Sequence, residues 1–71
     1  MKTNIRIKLG AKIKEEREKA SYTQEMLAAK SKIDYKYIQK IEGKTPPNIT
    51  IETIEKIAKA LNIPPSSLLD F

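Results

Sequence analysis

The sequence predicts an all-α fold of short helices, and three features carry that prediction. Two helix starts are marked in the stretch TQEMLAAKSKIDYKYIQKIEG, Thr23 to Gly43. Thr23 is an N-cap candidate with Tyr22 before it and Leu27 at the fourth helical position, the spacing of a hydrophobic staple. Asp34 repeats the arrangement with Ile33 and Ile38. The second feature is an apolar stripe of Ile5, Leu9 and Ile13 every fourth residue, with Ala20 in phase. The third is a wide inner face of Ile51, Ile54, Ile57, Ala58 and Leu61. The 71 residues are read as one domain, 1–71, near the lower limit for a self-supporting core.

In chain order, helix one is expected from about Thr3 or Ile5 to Lys19. Gly10 inside it costs about 1 kcal/mol relative to Ala, which close approach of another backbone would compensate. Lys12, Lys14, Glu15, Glu16, Glu18 and Lys19 are ordinary surface charges. Helix two starts at Gln24 and Glu25 and must stop near Lys30 or Ser31, because the next staple begins at Ile33. Only three or four residues remain to turn the chain. Residues 23–43 therefore form a helix-turn-helix unit, whose second helix can lie in a DNA major groove.

That second helix buries Ile38 and Ile41 and leaves Tyr35, Lys36, Gln39 and Lys40 on the other side. These are hydrogen-bonding, cationic or stacking groups, the types that reach base edges and phosphates. Any amphipathic surface helix carries such residues, so this helix alone does not decide between the two readings. Beyond it, Pro46-Pro47 rules out helix and stiffens a loop. Thr50 caps helix four, which runs to about Leu61, and Asn62 can close it in a left-handed conformation. Pro64-Pro65 opens a short fifth helix holding Leu68 and Leu69, with Phe71 at the end.

Composition excludes several classes of function. There is no cysteine and no histidine, hence no disulfide framework, no Cys/His zinc site and no imidazole for acid–base work. With every Glu on a helix surface or at a cap, no catalytic constellation can be assembled. We expect no enzyme, no metal, no cofactor and no small-molecule ligand. No apolar run approaches the roughly 20 residues of a membrane span. The basic amino end lacks the continuous apolar core of a signal peptide, and a cytoplasmic location is expected. The net charge of +5 is uneven. Residues 1–19 hold seven Lys/Arg against three acids, residues 20–44 five against three, and residues 45–71 two against three. A polyanion partner explains this better than a lysine-rich solvated surface, which has no reason to stop at residue 44.

The order Leu9-Gly10, Ile13-Lys14, Arg17, Thr23-Gln24-Glu25, Leu27-Ala28, Ile33, Ile38 and Ile41-Glu42 resembles the Cro/phage-repressor-like helix-turn-helix family, also called the xenobiotic-response-element family. The run Thr53-Ile54, Lys56-Ile57-Ala58-Lys59-Ala60-Leu61 is similar to that family's fourth helix. The resemblance spans Leu9 to Leu69 and implies a five-helix, lambda-repressor-like domain that binds double-stranded DNA. It assigns base contacts to Tyr35, Lys36 and, deeper in the groove, Gln39 or Lys40. It assigns phosphate contacts to Gln24 beside Thr23, with Gln24 also bracing the recognition helix. Lys44 and Thr45, beyond the helix, are expected to contact phosphates. Tyr37 joins that set, with packing against helix two as its other reading. Arg17 is expected to pair with Glu42 in an architectural ion pair. Core is the default place for Ile63, Leu68, Leu69 and Phe71, but they also lie where the family often forms its dimer, which would set two recognition helices about 34 Å apart.

The chain also departs from the family. Ser21 replaces a turn glycine, so the turn either avoids positive φ or tolerates strain. Lys32 stands where the second turn prefers glycine and is expected in the left-handed region, a reshaped turn being the alternative. Gly43 follows Glu42 directly, where the family commonly has one residue between. The expected function is sequence-specific DNA binding and transcriptional regulation, as a repressor acting as a homodimer on an inverted repeat. The alternative is an antitoxin or protein-interaction adaptor on the same fold.

Overall fold

The computed structural model describes residues 4–71 and contains five helices and no strand among them. These are α1 (Ile5–Lys19), α2 (Gln24–Ser31), α3 (Tyr35–Ile41), α4 (Ile51–Ala60) and α5 (Pro65–Leu68). Asn4 caps α1, its Oδ1 accepting from the Ile7 N–H at 3.3 Å. Thr3, the other expected start, lies outside the described residues. Thr23 caps α2, accepting from the Met26 N–H at 3.0 Å while the Met26 sulfur reaches back to the Thr23 N–H. Thr50 does the same for α4 through the Thr53 N–H.

Asp34 occupies the N-cap position of α3 but makes no side-chain cap bond. Its backbone carbonyl, accepting from the Tyr37 and Ile38 N–H groups, starts the helix instead. Ile38 is fully buried and Ile33 packs against the core beside it, so apolar contact rather than a carboxylate fixes the entry of α3.

Three helices close in the same way. After α1, the Tyr22 N–H bonds the Arg17 carbonyl and the Ser21 N–H bonds Glu18; after α2, Ile33 bonds Ala28; after α4, Ile63 bonds Ala58 and Asn62 bonds Lys59. Each closure turns on one left-handed residue: Ser21 (φ 62), Lys32 (φ 60) and Asn62 (φ 58). The first turn thus tolerates strain rather than avoiding it, and Lys32 takes the conformation expected of it. Neither glycine of the chain has positive φ. Lys32 is exposed. Lys32→Gly should therefore raise unfolding stability by about 0.5–1 kcal/mol, the relieved left-handed cost less the added chain entropy. An unchanged or lower midpoint in urea unfolding would show that the turn carries no such cost.

Gly10 serves a different purpose. A Cβ built on it would collide with the backbone carbonyl of Ile41, at the end of α3. The two helices cross there with backbone against backbone.

The core gathers Leu9 and Ile13 from α1, Leu27 and Ala28 from α2, Ile38 and Ile41 from α3, Ile57 and Ala58 from α4, with Leu61 and Leu68. The six largest fully buried side chains, Ile13, Leu27, Ile38, Ile41, Ile57 and Leu68, each contribute about 1.5–3 kcal/mol of transfer free energy. Ser31 is buried beside them and satisfies its hydroxyl on the Leu27 carbonyl at 2.7 Å.

Three expectations about the apolar faces need correction. Ile5 is 58% exposed, because as the first residue of α1 it reaches only the rim of a groove with Pro47, Ile49, Ile54 and Leu69. Ile51 is 81% exposed, since the first residue of α4 points away from the core that Ile57, Ala58 and Leu61 enter. Leu68, expected at a pairing surface, is 0% exposed and belongs to the core. Its neighbour Leu69 points outward instead.

Candidate nucleic-acid interface

α3 is anchored from behind and at its end. Ile38 and Ile41 fill the core, three apart on one side of the helix. Glu42 is the C-cap residue, and its carboxylate takes two parallel bonds from Arg17: Nε to Oε2 at 2.8 Å and Nη2 to Oε1 at 3.0 Å. The remaining arm of the guanidinium, Nη1, donates to the Tyr22 carbonyl at 2.7 Å, and Gln24 Nε2 donates to Glu42 Oε1 at 3.1 Å. One carboxylate thus ties the end of α1 and the start of α2 to the end of α3.

Arg17 is 8% exposed, so the pair works where water screens it little. The hydrogen bond to Glu42 holds the guanidinium proton more tightly than usual, outweighing the opposing effect of burial. The expected ion pair is therefore present, and it recruits two further groups: the Tyr22 carbonyl, which the sequence did not reveal, and the Gln24 amide. The bracing part of the role expected of Gln24 is visible in that contact.

The other face of α3 is open. Tyr35, Lys36, Gln39 and Lys40 are all exposed, and they share that face by their helical spacing. Gln39 Nε2 donates to the Tyr35 hydroxyl at 3.2 Å, one turn away, a contact that the i, i+4 spacing allowed but that was not anticipated. Tyr37 is half-buried and packs against the core, which favours the packing reading of that residue. Thr23 is exposed beside the half-buried Gln24 at the start of α2. Lys44 and Thr45 follow α3 and are exposed. Lys30, at the end of α2, sits 5.2 Å from the centroid of the Tyr22 ring, a cation–π contact that clamps the first turn against α2.

The set expected for pairing is split. Ile63 is half-buried, while Leu69 and Phe71 are about half exposed. The Lys8 ammonium lies 6.0 Å from the Phe71 ring centroid, so one face of that ring is covered by α1. Among the described residues no helix is long and apolar enough to cross a membrane.

An anchored first helix pair, a short outward helix with hydrogen-bonding and cationic side chains, and two further helices closing the core define a helix-turn-helix domain of the Cro/phage-repressor-like class. The chain belongs to this family: the helix-turn-helix family model matches residues 13–68. Among individual proteins it is similar to the control protein C.BamHI of Bacillus amyloliquefaciens, with 42% identity over all of this chain and 88% of the relative. The structure is similar to the restriction-modification controller protein C.AhdI from Aeromonas hydrophila, with TM-score 0.83 and 33% identity over 89% of this chain and 94% of that one. It is also similar to C.Esp1396I bound to a 19 base pair DNA duplex, with TM-score 0.86 and 34% identity over 96% of this chain and 89% of that one.

Proposed function

We propose that this protein binds double-stranded DNA sequence-specifically and regulates transcription, in the manner of the restriction-modification controllers it resembles. The observation that carries this is the exposed face of α3. Tyr35, Lys36, Gln39 and Lys40 are presented to solvent by a helix whose back is fixed in the core and whose end is held by Arg17, Gln24 and Glu42. Phosphate contacts from Thr23, Gln24, Lys44 and Thr45, with the cationic first two-thirds of the chain, supply affinity. The four α3 side chains supply the choice of sequence. Tyr37 contributes at most its outer edge, since its ring packs against the core.

The protein acts as a homodimer on an inverted repeat. Ile63, Leu69 and Phe71 supply the pairing surface, and the exposed Ile5, which shares a groove with Leu69, extends the apolar area available to it. Burying such a surface against a second copy is the ordinary way for a domain this small to remove apolar groups from water. Two-fold pairing then sets the spacing of the half-sites.

Two substitutions test the division of labour. Lys36→Ala should weaken binding to the preferred duplex by about 1–3 kcal/mol and relax one base position. Lys44→Ala should weaken all duplexes alike and lower the slope of log affinity against log salt by about one. Equal, sequence-independent losses for both variants would mean that α3 does not read bases, and would favour a protein-interaction adaptor.

A further inference from the structure

The hydrogen bond between Gln39 Nε2 and the Tyr35 hydroxyl, 3.2 Å long, joins two exposed side chains on the outward face of α3. We infer that Tyr35 is a positioning residue: it orients the Gln39 carboxamide so that the protein selects adenine over guanine at the base pair Gln39 faces. This rests on the reading of α3 as the recognition helix.

A carboxamide carries two N–H donors and one carbonyl acceptor. With one N–H bound to the phenol oxygen, the carbonyl oxygen and the second N–H remain to project outward. That acceptor–donor pair complements adenine in the major groove, accepting from its N6 amino group and donating to N7. Turned over, the carboxamide would place its carbonyl against the phenol and leave both N–H groups outward. Those would suit guanine, which offers two acceptors, O6 and N7. The terminal torsion of a free glutamine is broad and roughly two-fold, so an untethered Gln39 reaches both arrangements. With its own O–H donating to a phosphate, which carries no sequence information, the phenol oxygen can only accept from the amide, and that selects the first arrangement.

The hydroxyl of Tyr35 takes part in no other hydrogen bond among the described residues, and Tyr35 lies outside the core cluster. Removing the hydroxyl therefore leaves the fold intact, and Tyr35→Phe should melt at the wild-type temperature.

Selection from random duplex DNA by the wild-type protein, Tyr35→Phe, Gln39→Ala and the double variant tests the inference. The wild type should prefer adenine over guanine at one step by about tenfold or more. Tyr35→Phe should keep the rest of the motif while that ratio falls several-fold toward parity. Gln39→Ala should lose the same step, and the double variant should match Gln39→Ala there. Three results would each overturn the inference: an unchanged adenine preference in Tyr35→Phe, a wild-type preference for guanine at that step, or a Tyr35→Phe effect confined to a different step. A wild-type protein that enriches no sequence at all would instead remove the proposed function, and this inference with it.

Discussion

Glu42→Ala should destabilise the fold by about 3–5 kcal/mol, the cost of leaving a buried charge without its partner. The Glu42 carboxylate is the acceptor for two bonds from Arg17 and one from Gln24, and its side chain is only 2% exposed. Without it, the guanidinium of Arg17, a residue only 8% exposed, keeps only the Tyr22 carbonyl. A domain of this size has about 4–10 kcal/mol to lose, so the variant should be marginal, with its urea midpoint moved to low denaturant. Arg17→Met combined with Glu42→Leu should recover most of the loss, because apolar groups of similar volume leave no charge stranded. A single-variant loss under about 1 kcal/mol would mean that the pair behaves like a surface ion pair. DNA affinity should fall with stability, since the same carboxylate fixes the end of α3.

Gly10→Ala should be nearly as costly, at about 2–3 kcal/mol. Alanine would ordinarily gain about 1 kcal/mol inside a helix. Here its methyl group would meet the Ile41 carbonyl, which is backbone of another helix and cannot rotate aside. α1 must move off α3, opening the packing of Ile13 and Ile41 and stretching the nearby Arg17–Glu42 pair. The melting temperature should drop by about 10–20 °C for a domain of this length. A neutral or stabilising alanine would show that the crossing is looser than the backbone contact indicates.

These two sites show what could be read in advance and what could not. The staples at Thr23 and Asp34 span six residues each, so both helix starts and the short turn between them were legible locally. The cost of Gly10 was legible too, because a glycine inside a helix asks for a compensating contact. The partner of Arg17 lies 25 residues away. Periodicity places Arg17 at the inner edge of its helix but does not say which residue meets it; the family resemblance supplied that.

Periodicity also marks a face without saying how far neighbouring elements cover it. For that reason Ile5 and Ile51, in phase with their stripes, proved exposed where their helices overrun the core. α5 is four residues long, too short for any period to separate Leu68, which is buried, from Leu69, which is not. At Asp34 the residue type suited a cap, yet the carboxylate makes no cap bond, because the apolar pair around it already sets the helix entry.

The most direct test is a titration of the 15N-labelled protein with its preferred duplex, followed by amide chemical-shift changes. The largest changes should fall on Tyr35 to Lys40, with a second group at Thr23 and Gln24 and at Lys44 and Thr45. Changes confined to the face of Ile5 and Leu69, with α3 unperturbed, would contradict the assignment of α3 as the helix that reads DNA.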